Sequence, residues 1–276
     1  MPENVKAPTQ ALLILNNPIM KILPILAFVF SIPAFAQDSL YQKKVFQASN
    51  GLSLPYRILL PQDYDPHKKY PLILFLHGAG ERGNDNEKQL THGAKLFVTP
   101  ENRKNYPAIV IAPQCPADNY WGNVTIDRNT RPFALSFDYS RPETTALSAA
   151  IELVKKIIAD EGVDKKRVYI TGLSMGGMGT FEAVYRYPKL FAAAAPVCGG
   201  GDSKLYSKKA AKIPFWVFHG DADVVVSVKE SRTMVEKLKS LKAQVKYTEY
   251  AGVNHNSWDN AFAEPDYLKW LFGNSK

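Results

Sequence analysis

Ser174 stands in Gly172-Leu173-Ser174-Met175-Gly176, with a glycine two positions away on either side. A serine hydroxyl is a weak nucleophile unless a base lies within hydrogen-bond reach and a third group orients that base. A serine at a sharp strand-to-helix turn is held in a strained conformation, and its close neighbours must then lack side chains. The flanks fit such a turn, since Val168–Ile170 reads as a strand entering it and Gly179–Tyr187 as a helix leaving it. The Met175 amide would then lie at a helix N-terminus, where unpaired N–H groups favour negative charge. This layout suits acyl transfer through a covalent intermediate. A glycine-rich turn with an incidental serine is the weaker account.

At an elbow of this kind the acid follows the serine along the chain, and the histidine follows the acid. Two histidines come after Ser174. His219 closes an apolar run in His219-Gly220-Asp221-Ala222-Asp223, which suits a structural role. His255 lies in the polar segment Gly252-Val253-Asn254-His255-Asn256-Ser257-Trp258 and is the expected base. The loop after Phe215–His219 offers Asp221 and Asp223 as the acid. Asp221 comes first and is placed to bond its own backbone. Asp223 is followed by Val224-Val225-Val226, which can anchor the loop and keep water from the carboxylate, so Asp223 is the expected acid. A second oxyanion donor is expected from Leu76-His77-Gly78-Ala79-Gly80, as the Ala79 N–H beside that of Met175, with His77 structural.

Strands and helices must alternate to present these loops at one edge. Strands are expected at Val45–Ser49, Pro55–Leu60, Leu72–His77, Ala108–Pro113, Val168–Leu173, Ala192–Val197, Phe215–His219 and Val245–Tyr250. The central ones are unbroken apolar runs, as in parallel strands buried on both faces. Helical periodicity places Leu147, Ile151, Val154 and Ile158 on one face, and Val228, Met234, Val235, Leu238 and Leu241 on another. The alternation predicts one α/β domain with a doubly wound, mostly parallel sheet of about eight strands. A short turn at Gly51 makes the first two strands an antiparallel hairpin at the edge.

The composition is that of a globular protein: 276 residues, 46% hydrophobic and 22% charged. A net charge of +8 raises nucleic-acid binding, but the basic residues are interleaved with acidic ones, as Lys155 and Lys156 are with Asp160 and Glu161. A solvated surface with a basic bias is the better reading, with no nucleic-acid partner. Cys115 and Cys198 have no metal-ligand spacing, and no metal or cofactor site is visible. They follow the fourth and sixth strands, whose ends are roughly 14 Å apart when two strands intervene, so both thiols are expected free.

Residues 1–36 read as an address. Lys21 precedes the short apolar run Ile22–Phe30, and Ala34-Phe35-Ala36 has small residues where signal peptidase cuts. Met20 would also serve as a leader start. The expectation is a secreted or periplasmic catalytic domain over 37–276, with no membrane anchor after cleavage.

Taken together, the chain resembles secreted bacterial α/β-hydrolases of the carboxylesterase type, which border on feruloyl and acetylxylan esterases and polyhydroxybutyrate-depolymerase-like enzymes. The residues carrying the resemblance are Leu76-His77-Gly78-Ala79-Gly80-Glu81-Arg82-Gly83, Ala112-Pro113-Gln114-Cys115-Pro116 with Trp121, Gly172–Gly177, His219–Asp223, and His255 with Trp258. It implies a serine esterase acting on small esters or acylated saccharides, without a cofactor. It also implies that Trp121 and the loop from Glu81 lie near the mouth of the site, so Trp121, Glu81 and Trp258 are candidate substrate contacts. The family's usual proline after the acid loop is Ser227 here. A peptidase of the prolyl-oligopeptidase type would use the same three residues, and a non-catalytic binding protein would have lost one of them.

Overall fold

The computed structural model describes residues 40–276 together with Met1 and Glu3. Apart from those two residues, the expected leader lies outside the described residues. Residues 40–276 fall within one compact unit. Its strands are β1 Gln42–Gln47, β2 Ser53–Leu59, β3 Tyr70–Leu76, β4 Ile109–Pro113, β5 Val124–Asp127, β6 Ala134–Phe137, β7 Val163–Leu173, β8 Ala193–Val197, β9 Phe215–Gly220 and β10 Val245–Tyr250. The helices are α1 Pro100–Asn105, α2 Thr145–Asp160, α3 Met175–Arg186, α4 Val228–Ser240, α5 Trp258–Phe262 and α6 Tyr267–Phe272.

Eight strands form one sheet in the order β1-β2-β4-β3-β7-β8-β9-β10. β2 pairs antiparallel with both β1 and β4, and every other neighbouring pair is parallel. Gly51, at φ +86°, turns the chain between β1 and β2. Along β3 the side chains alternate between two cores. Leu72, Leu74 and Leu76 join Leu147, Ile151, Phe181 and Leu238 on one face. Ile73 and Phe75 join Phe97, Tyr267 and Leu271 on the other. That two-sided burial is why the central strands are apolar without alternation.

The strand ends set the site. Leu76 is level with Gly172, Leu173 with Val197, Val197 with Phe218, and Gly220 with Tyr250. The loops leaving β3, β7, β9 and β10 therefore emerge together at the carboxyl edge, the usual ligand edge of such a sheet.

β1 and β7 begin earlier than the expected Val45 and Val168, and further features go beyond the sequence reading. α3 starts at Met175 rather than Gly179, because Gly176 and Gly177, poor helix formers, are held helical by packing. Ser227 caps α4, its side chain accepting from the Lys229 amide at 3.3 Å. A second, antiparallel two-stranded sheet, β5–β6, appears where no strand was expected.

Candidate active site

Ser174 ends the run out of β7 at φ +53° and ψ −115°, a conformation that costs on the order of 1–3 kcal/mol and is retained only where the surroundings impose it. They impose it here through close backbone packing. A Cβ on Gly172 would lie 2.5 Å from the Gly176 carbonyl oxygen and 2.7 Å from that of Leu76. The Ser174 amide donates to the Val197 carbonyl at 2.9 Å, tying the elbow to β8.

His255 Nε2 lies 3.0 Å from Ser174 Oγ, and His255 Nδ1 lies 2.7 Å from Asp223 Oδ2. Nδ1 faces a carboxylate and therefore carries the proton, which leaves Nε2 to accept from the serine hydroxyl. Gly220 lets the histidine loop come this close, since a Cβ there would stand 2.8 Å from the Asn254 carbonyl oxygen.

Every acceptor direction of Asp223 is used. Oδ1 accepts from the amides of Val225 at 2.8 Å and Val226 at 2.9 Å. Oδ2 accepts from His255 and also from His219 Nε2 at 3.1 Å. The Asp223 side chain is fully buried, while that of His255 is 18% exposed. Burial alone would raise the Asp223 carboxyl, but hydrogen bonds from His219, His255 and the Val225 amide outweigh it and hold the group well below the usual carboxylate range. Asp221 plays a different part: it is exposed, and its Oδ1 accepts from the Gly252 amide at 2.6 Å rather than from its own turn.

Met175 opens α3, and Ala79 opens a short 3-10 turn, Ala79–Glu81, after β3. No side chain caps either N-terminus, so each turn leaves amides unpaired. Both residues border the same narrow cleft as Ser174. His77 braces this loop: its Nε2 accepts from the Cys115 amide at 2.9 Å, and its Nδ1 donates to the Gly78 carbonyl at 2.6 Å. Burial lowers its pKa from 6.5 to about 4. The whole arrangement can deprotonate a serine, hold an oxyanion and return the proton.

Residues 63–265 match the family described as phospholipase/carboxylesterase. The chain belongs to that family.

Among curated proteins, the enzyme is 28% identical over 208 residues to a probable carboxylesterase SOBER1-like of Arabidopsis thaliana, covering 72% of this chain and 77% of that one. It is 35% identical over 185 residues to the bifunctional acetylxylan esterase/xylanase XynS20E of Neocallimastix patriciarum, covering 67% of this chain and 24% of that one. A crystal structure of a thermostable esterase superposes with a TM-score of 0.79 at 38% identity, covering 87% of this chain and 64% of that chain. The fold is accordingly that of an α/β-hydrolase, and the chain is a serine ester hydrolase of the carboxylesterase type.

The expected substrate contacts divide. Trp121 requires correction: it is 0% exposed, packed edge-on against His77 and against α3 at Gly179, so it has no face to offer a ligand. A loop tryptophan reads the same from sequence whether buried or open. Trp258 does reach the site, its ring centroid 5.3 Å from that of His255. Glu81 does too, since a Cβ on Gly78 would lie 2.9 Å from Glu81 Oε2 and 3.7 Å from Ser174 Cβ.

Sequence reasoning missed the second wall of the enzyme's cleft. Ile126, Phe133 and Leu135 of the β5–β6 hairpin face Ser174 across it. The Phe133 amide donates to the Val225 carbonyl at 3.0 Å, which joins the hairpin to the acid loop. A wider depression near Tyr185, Tyr187 and Lys209 brings no nucleophile to a base. Among the described residues, no group of three or more His, Cys, Asp or Glu is arranged to hold a metal ion.

Proposed function

We propose that the enzyme hydrolyses carboxylic esters with Ser174 as nucleophile, His255 as base and Asp223 as acid, and with the Ala79 and Met175 amides as oxyanion donors. The observation that carries this reading is the unbroken hydrogen-bonded line Ser174–His255–Asp223 at the carboxyl edge of the sheet. His255 Nε2 takes the Ser174 proton as Oγ bonds to the ester carbonyl carbon, and the carbonyl electron pair moves onto oxygen between the two amides. The tetrahedral adduct re-forms the carbonyl and breaks the bond to the alcohol oxygen, which receives the proton from His255. Water then repeats the sequence on the acyl enzyme, releasing the acid and restoring the serine. Asp223 stays ionised throughout and stabilises the imidazolium.

An acylated saccharide is the proposed substrate class, supported by the relative named as an acetylxylan esterase/xylanase. Ser174→Ala should remove turnover of p-nitrophenyl acetate while keeping the unfolding midpoint within a few degrees. Residual turnover within tenfold of the parent would refute the assignment. We also propose that 1–36 is a cleaved leader and that the exported enzyme starts at Gln37. N-terminal sequencing of the secreted protein checks this, and an intact N-terminus would overturn it.

A further inference from the structure

The reaction centre has two unlike sides. On one, Ser174, Ala79 and Met175 border the hairpin cleft of about 50 Å³, and His255 does not line it. On the other, Trp258 stands beside His255 and sets its ring centroid 5.1 Å from that of His92. His92 Nε2 in turn lies 3.7 Å from Glu81 Oε1.

Glu81 is the unusual member of this second group. Its side chain is only 12% exposed, yet among the described residues its carboxylate accepts no hydrogen bond, and the 3.7 Å contact with His92 is an ion pair only when that imidazole is protonated. The adjacent Arg82 is occupied elsewhere, donating to the carbonyls of Ala79 at 3.0 Å, Ala117 at 2.8 Å and Asn119 at 3.3 Å. A carboxylate so sparsely exposed and without donors has acceptor positions free for a ligand. Its Oε2 stands within about 7 Å of Ser174 Cβ, by way of the position above Gly78 that both adjoin. A donor arriving with the substrate would satisfy it.

The chemistry then decides which side takes which half of the ester. His255 must protonate the departing oxygen, so the alcohol lies on the His255 side. The acyl group stays on Ser174 with its oxygen at the Ala79 and Met175 amides, which is the cleft side. We infer that the hairpin cleft is an acyl subsite for short chains, and that Glu81, His92 and Trp258 form the subsite for a hydroxyl-rich alcohol. This deepens the proposed function and rests on it.

The cleft, with about 50 Å³ of space, is small and suits a short acyl chain such as acetyl to butyryl. A carboxylate only accepts, and its two oxygens can meet neighbouring hydroxyls. Trp258 adds a flat apolar surface for the C–H face of a sugar ring.

The test compares kcat/KM of the purified enzyme on p-nitrophenyl acetate, butyrate and octanoate, acetylated methyl xyloside and acetylcholine. Octanoate should fall at least about tenfold below butyrate, and Leu135→Ala should close much of that gap. Glu81→Gln should lower the ratio of the xyloside to p-nitrophenyl acetate by about tenfold, the loss of a charge-assisted hydrogen bond. Trp258→Leu should lower the same ratio. Octanoate as good as butyrate, together with unchanged ratios in both variants, would overturn the subsites while leaving an active esterase. Acetylcholine preferred over the xyloside would assign Glu81 to a cation and overturn the alcohol class. Failure to turn over any ester would instead overturn the proposed function beneath it.

Discussion

Asp223 is held by two backbone amides on one oxygen and two imidazoles on the other, so it has little freedom to rotate away from His255. Asp223→Asn should reduce kcat on p-nitrophenyl acetate by roughly 10⁴, because an amide presents the wrong partner to Nδ1–H. Asp221→Asn should cost less than about tenfold, since Asp221 only braces the β10 turn through Gly252. Equal losses in the two variants would contradict the assignment. The valines after Asp223 made this choice legible in the sequence. The second imidazole on Asp223 was not legible, because His219 reaches it only through the fold of the loop back over the end of β9. His77 supplies a pH dependence. It binds protons less readily folded than unfolded, so it stabilises the fold fully above about pH 6.5, and that contribution is lost as pH falls toward 4. The shift from 6.5 to about 4 corresponds to about 3 kcal/mol. Urea unfolding at pH 7 and pH 4.5 should show this loss in the parent and a flatter dependence in His77→Gln.

Among the elements, the long strands and amphipathic helices were readable because burial on one or two faces leaves a period in the sequence. The β5–β6 hairpin left almost none. Each of its strands is four residues long, with only Val124 and Ile126, or Leu135 and Phe137, directed at the body. What fixes the hairpin is distant in sequence: Glu182 on α3 accepts from the Asn123 amide at 2.5 Å and from its side chain at 2.8 Å, and pairs with Arg186 at 2.7 Å. Glu182 is fully buried, so Glu182→Ala would take away the acceptor of the Asn123 amide and of Arg186 Nε, while Arg186 Nη2 and the Asn123 side chain keep backbone carbonyls. It should lower unfolding free energy by about 3–5 kcal/mol and raise KM for short-chain esters, because the cleft loses its outer wall. Denaturant unfolding and steady-state kinetics on the same variant check both effects. A stable variant with unchanged KM would show that the hairpin does not depend on this anchor.

Across the molecule, the sheet order accounts for the two thiols. β3 and β7 stand between β4, which leads into Cys115, and β8, which leads into Cys198. Both cysteines are free and buried, and burial pushes both thiols well above their ordinary pKa. A thiol reagent should therefore titrate two groups after unfolding and close to none in the folded protein. The arrangement of loops at one sheet edge was legible at this scale, since alternating strands and helices permit few right-handed windings. The side of each loop that faces the substrate was not, because it depends on packing between segments far apart in the chain. The claim on which the mechanism turns is that Ser174 alone becomes acylated. Incubation with a fluorophosphonate, followed by peptide mass spectrometry, measures this directly. One adduct per chain on the peptide containing Ser174, absent from Ser174→Ala and slowed by competing p-nitrophenyl acetate, is the expected result. An adduct on another residue, or an active enzyme that takes no label, would contradict it.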